Sequence, residues 1–60
     1  MSMWERHLLS MYQQWQQGNE DYLYRYMDFA ELVASHNNMT VDAVMCELQK
    51  YYWFERPNNY

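Results

Sequence analysis

The sequence predicts an all-α fold: a small three-helix domain with a helix-turn-helix-like corner, gaining a fourth helix if the chain breaks near Asp28. Two observations lead there. Apolar residues recur at helical spacing in three stretches, and each stretch opens on a residue that caps helix N-termini. The alternation of Tyr22, Tyr24 and Tyr26 also fits a short strand, but a lone strand has nothing to pair with.

The first helix is expected from about residue 3 to 17. Ser2 and Glu5 form a capping box, in which the serine accepts from the amide three residues on and the glutamate reaches back. Trp4, Leu8, Met11 and Trp15 make the inner stripe, with Tyr12 beside them. Leu9 falls off that stripe, and Gln13, Gln14, Gln16 and Gln17 make the polar side. Gly18 stands where a left-handed C′ residue is wanted.

The second helix is expected to start at Asn19 as N-cap, with Glu20 and Asp21 favouring the positive helix end. One stripe runs Leu23, Met27, Ala30, Ala34; its neighbour runs Tyr22, Tyr26, Phe29, Val33. Leu32 points to the polar side of a continuous helix, and Asp28-Phe29-Ala30-Glu31 reads as a second capping signal. A break near Asp28 accounts for both.

His36-Asn37-Asn38-Met39 reads as a turn, because asparagine tolerates left-handed geometry. Thr40 caps the third helix, whose inner face is Val41, Val44, Met45, Leu48, Tyr51 and Tyr52. Continued to Phe54, that helix points Trp53 and Phe54 outward; if the chain leaves helical geometry after Tyr52, those rings fold back over the core. Pro57 ends regular structure, so residues 1–56 read as one helical domain and 57–60 as a tail. The expected core is Trp4, Leu8, Met11, Trp15, Leu23, Met27, Ala30, Val33, Val44, Leu48 and Tyr52.

Composition bounds the function. A chain of 60 residues buries only about 60% of its unfolded surface, so it needs help to be stable. Cys46 is the only cysteine, which excludes an internal disulfide and suits a reducing cytoplasm. No signal-peptide pattern and no membrane-spanning apolar run is present. Aromatics make up 20% of the chain, seven of them tyrosine. So many rings exceed what so small a domain can enclose, and tyrosine is a favoured interface residue. The net charge of −4 disfavours phosphate backbones and anionic membranes, and it fits a basic protein partner.

The stretch from Phe29 to Leu48 resembles the bihelical core of a helix-turn-helix through Ala34, Asn38, Met39, Val44 and Leu48. Such motifs prefer glycine where Asn38 stands and an apolar residue where Glu47 stands. The resemblance implies a small transcriptional regulator reading DNA with its second helix. That helix offers only Lys50 against Asp42 and Glu47, so repulsion from a polyanion is expected to prevail.

A second motif is the acidic stripe Glu20, Asp28 and Glu31. On one helix, residues eight apart are separated by about 12 Å, the spacing at which carboxylates imitate nucleic-acid phosphates. The alternative is a solvated helix face. Arg25 lies within reach of Asp21 and Asp28 and is expected to neutralise part of this charge.

No catalytic constellation is legible. His7 and His36 lack zinc-ligand spacing, Cys46 reads as a structural thiol, and Gly18 is the only glycine. The expectation is therefore a non-enzymatic, cofactor-free, metal-free binding module: an inhibitor or adaptor of the phage or mobile-element kind, docking on a larger and basic protein, one that itself binds nucleic acid being a candidate. The expected docking residues are Glu20, Tyr24, Asp28, Glu31, Trp53 and Phe54. A homodimer is the other way to cover the aromatic surplus.

Overall fold

The computed structural model describes residues 1–55. The proposed tail, 57–60, lies outside them. Three α-helices, α1 (Met3–Gln17), α2 (Tyr26–Asn37) and α3 (Val41–Leu48), are joined by a one-turn 3-10 helix at Tyr22–Tyr24 and a tight corner at Asn38. The described residues thus form an all-helical, three-helix domain.

α1 starts as its sequence dictates. Ser2 is extended, and its Oγ accepts from the Glu5 amide at 3.1 Å. The reciprocal half of the capping box is replaced by another bond: the Glu5 carboxylate accepts from Trp53 Nε1 at 3.0 Å. The spine of α1 is Leu8 and Tyr12, one turn apart and both buried. Trp4, Met11 and Trp15 flank that spine, half-buried, as the rim of the stripe rather than its centre.

The end of α1 differs from expectation. Gly18 has φ −97° and ψ 0°, so no left-handed residue closes the helix. Asn19 closes it instead, its Nδ2 donating to the Trp15 carbonyl at 2.7 Å. Asn19 therefore caps the helix before it, and the helix after it starts later. The 3-10 turn follows, with Arg25 N–H donating to the Tyr22 carbonyl at 3.1 Å. Arg25, at φ −113°, precedes the first residue of α2. The chain does break, but at Arg25; Asp28 sits in the first turn of the new helix.

That break re-phases the apolar pattern. Leu23 and Met27 do not share a helix. Leu23 is half-buried and Met27 is exposed, so Met27 is not a core residue. α2 buries Phe29, Ala30, Val33 and Ala34. Small residues there let backbones approach closely, and α3 packs mainly on α2. The corner between them is shorter than expected: His36 and Asn37 still belong to α2, and the turn is made at Asn38. Asn38 is left-handed, φ 54° and ψ 43°, Met39 N–H donates to the Ala34 carbonyl, and Thr40 Oγ1 accepts from the Ala43 amide at 3.1 Å.

α3 ends at Leu48, earlier than its pattern suggests, after burying Val44 and Leu48. Residues 49–55 then run as a strap of turns back to α1. This corrects two expectations. Tyr52, placed in the core by extrapolating the helix, is 93% exposed. Phe54, a proposed surface anchor, is core at 8% exposure.

The strap's backbone is fastened at its end by the Tyr12 side chain. The Tyr12 hydroxyl donates to the Glu55 carbonyl at 3.4 Å and accepts from the Glu55 amide at 3.3 Å. The Tyr12 ring sits among Phe29, Phe54 and Trp53, with centroids 5.0, 5.3 and 5.7 Å away. Tyr22 adds a bond from its hydroxyl to the Glu55 carboxylate at 3.1 Å.

Burial pushes the Tyr12 hydroxyl above its ordinary pKa, and the Glu55 carboxylate, as hydrogen-bond acceptor, does the same to Tyr22.

Two predictions follow from the strap. Phe54→Ala should lower stability by about 3 kcal/mol, while Tyr52→Ala should change it by less than about 0.5 kcal/mol; thermal melting of both variants checks the contrast. The second concerns pH. Raised tyrosine pKa values mean that the folded state holds its protons longer than the unfolded chain. Stability is then intact below about pH 10 and falls as pH rises beyond it. Lys50, raised by its bond to Glu47, adds to the same decline. The Tyr12→Phe, Tyr22→Phe double variant should show a flatter alkaline limb in melts taken across that range.

Candidate functional site

Four of the six expected docking residues lie on one stretch of chain. Glu20 is exposed in the turn after α1, and Tyr24 ends the 3-10 helix at 73% exposure. Asp28 and Glu31 are exposed on α2. They point away from Phe29, Ala30, Val33 and Ala34, which sit on the opposite side of the same helix. Met27 at 43% and Leu32 at 37% exposure share the outward side with them.

The sequence pattern places Leu32 on the polar side but Met27 in the core. Leu32 was legible as an outlier. Met27 was not, because a continuous helix put it in register with Leu23.

The acidic stripe is not one helical row. Glu20 precedes the break at Arg25, so its eight-residue separation from Asp28 does not translate into a helical rise. The single-helix argument for phosphate-like spacing therefore does not apply to Glu20 and Asp28.

Part of the charge is also compensated. Arg25 Nε donates to Asp28 Oδ2 at 2.9 Å and Arg25 Nη1 to Asn19 Oδ1 at 2.8 Å, while Asp21 Oδ1 lies 3.8 Å away. Asp28 is the largest cause of the raised Arg25 pKa. These groups are solvated, so the pairs count for more in positioning the chain at the break than in stability. Glu31 makes no ion pair among the described residues.

The two C-terminal aromatics do not join this face as exposed anchors. Phe54 is buried. Trp53 is half-buried, stacked on Tyr51 at 5.3 Å and 6° between planes, and tied to Glu5. Tyr52, between them, carries the exposed ring. Turn geometry after Leu48 rotates each residue away from its helical position, and no glycine or proline before Pro57 signals that change.

The remaining reactive groups are dispersed. Cys46 is exposed on α3, and no three or more His, Cys, Asp or Glu among the described residues could share a metal. His7 and His36 are exposed on different helices. The Trp4 indole N–H is screened from solvent without a partner, the one such side-chain atom among the described residues. The described residues form no pocket. What the surface offers on α2 is a convex face of side chains.

None of the described helices is long and apolar enough to cross a membrane. Compared with family models, with curated proteins and with solved structures, the chain matches none.

Proposed function

We propose that this chain is a protein-binding module, an inhibitor or adaptor of the kind that phages and mobile elements encode. It docks on a larger protein through Tyr24 and the outward face of α2. The observation that carries this reading is the exposure of Tyr24, Met27 and Leu32 around Asp28 and Glu31. Aromatic and methionine side chains supply contact area on a binding surface, and the carboxylates steer a basic partner toward it. Glu20 extends the same acidic field. Phe54 packs behind α2 against Tyr26 and Phe29, and Trp53 lies against α1 and Tyr51, so neither is part of the docking face. A reducing, cytoplasmic setting suits the exposed Cys46 thiol.

A second reading is a DNA-binding regulator, favoured by the left-handed corner at Asn38 and the Thr40-capped helix after it. Charge opposes it. The exposed positions of α3 include Asp42, Ala43 and Cys46, and Lys50 is engaged by Glu47 at 2.6 Å.

The test pairs two measurements. Affinity capture from the native host identifies the partner, and the triple variant Tyr24→Ala, Met27→Ala, Leu32→Ala is then titrated against it. At least a tenfold loss of affinity, on the order of 1.4 kcal/mol, with an unchanged melting temperature is the expected result. Full affinity in the folded variant refutes the α2 surface. A gel shift with mixed DNA at physiological salt separates the second reading, since clear binding there replaces the first. Sedimentation at micromolar concentration addresses the homodimer, which a strictly monomeric chain excludes.

A further inference from the structure

We propose that the outward face of α2 receives a helix of the partner, and that this helix presents arginine or lysine side chains between apolar ones. The inference rests on the docking role proposed above and adds the chemistry of the occupant.

The backbone decides the form of the occupant. α2 satisfies its own amides and carbonyls, and the described residues include no strand whose edge could pair with a peptide. The face therefore offers side chains alone. An extended segment laid on it would bury its own amides unpaired, whereas a helix brings them already satisfied.

The order of residues around α2 decides the chemistry. At about 100° per residue, the exposed positions of α2 run Met27, Glu31, Ser35, Asp28, Leu32 and His36 around the circumference. Two carboxylates thus lie between two apolar side chains. A purely apolar partner would strip water from Glu31 and Asp28 and return nothing.

Cationic side chains resolve this. Glu31 has no competing pair among the described residues, and Asp28 is still half exposed beside Arg25. Arginine fits best, because its planar fork can bridge neighbouring carboxylates. A second copy of this chain fits poorly: a two-fold contact on this face would set carboxylates against carboxylates.

The experiment uses the full-length protein and a yeast-displayed library of helical peptides about 18 residues long, with the outward positions randomised. Enriched peptides should carry Arg or Lys one turn apart with apolar residues beside them. Their amide shift perturbations, read by NMR, should fall on residues 24–35. The exposed-site variant Glu31→Lys should weaken them by about tenfold, and raising salt should weaken wild-type binding several-fold.

Enriched peptides that map to α2 but are neutral or acidic, or that are indifferent to Glu31→Lys, overturn the cationic-helix inference and leave the docking role standing. Failure to enrich any peptide overturns the inference too, and the triple variant with the native partner then judges the docking role separately. Peptides that perturb a different face while the native partner ignores the triple variant end both.

Discussion

Tyr12 is the residue on which the arrangement depends. A small helical domain rarely encloses a phenol, because a buried hydroxyl needs partners. Here the partners are the amide and carbonyl of a single residue, Glu55, on a segment without regular structure. The ring contributes to the core while the hydroxyl serves the strap's backbone. Phe54 is placed against Tyr12 and Phe29 by that fastening, and Trp53 is oriented toward Glu5. A strap of turns would otherwise gain little from lying on α1, since each ordered residue costs about 1–2 kcal/mol of backbone entropy.

Local signals were legible where they acted through neighbouring residues. Ser2, Thr40 and Asn38 announced two helix starts and one corner, and each takes the expected conformation. Helical spacing located Leu8, Ala30, Val33, Val44 and Leu48 in the core. The failures share a cause. Asn19 is suited to either end of a helix, and the choice depended on a bond to Trp15 that spacing does not encode. A second helix begun at Asn19 turns Met27 inward with Leu23, whereas one begun at Tyr26 turns it outward. Likewise, α3 carries no stop signal at Leu48. The rings of Trp53 and Phe54 left the helix because α1 offered them Tyr12 and Glu5, a tertiary preference that overrides periodicity.

The aromatic surplus is resolved unevenly. Both phenylalanines and Tyr12 are enclosed, the three tryptophans are half-buried, and Tyr24 and Tyr52 stand out in solvent. Most of the described rings are thus only half-covered, and the exposed ones narrow to two positions. On the docking face, Glu20, Tyr24, Asp28 and Glu31 were readable from charge and residue type. Of its apolar partners, Leu32 stands out as an outlier of the stripe, whereas Met27 emerges only from the break at Arg25. Arg25 marks that break: it ends the 3-10 turn and contacts Asn19 and Asp28, while the burial of Phe29, Ala30, Val33 and Ala34 sets which side of α2 turns outward.

The hydroxyl of Tyr12 meets a residue 43 positions further along the chain. A polypeptide leaving a ribosome exposes its first helix long before it has made the segment that seals it. Until then Leu8, Tyr12 and Phe29 have no cover on that side. Closing the core over α1 therefore waits on residues 49–55, a contact between distant parts of the chain that must first overcome loop-closure entropy.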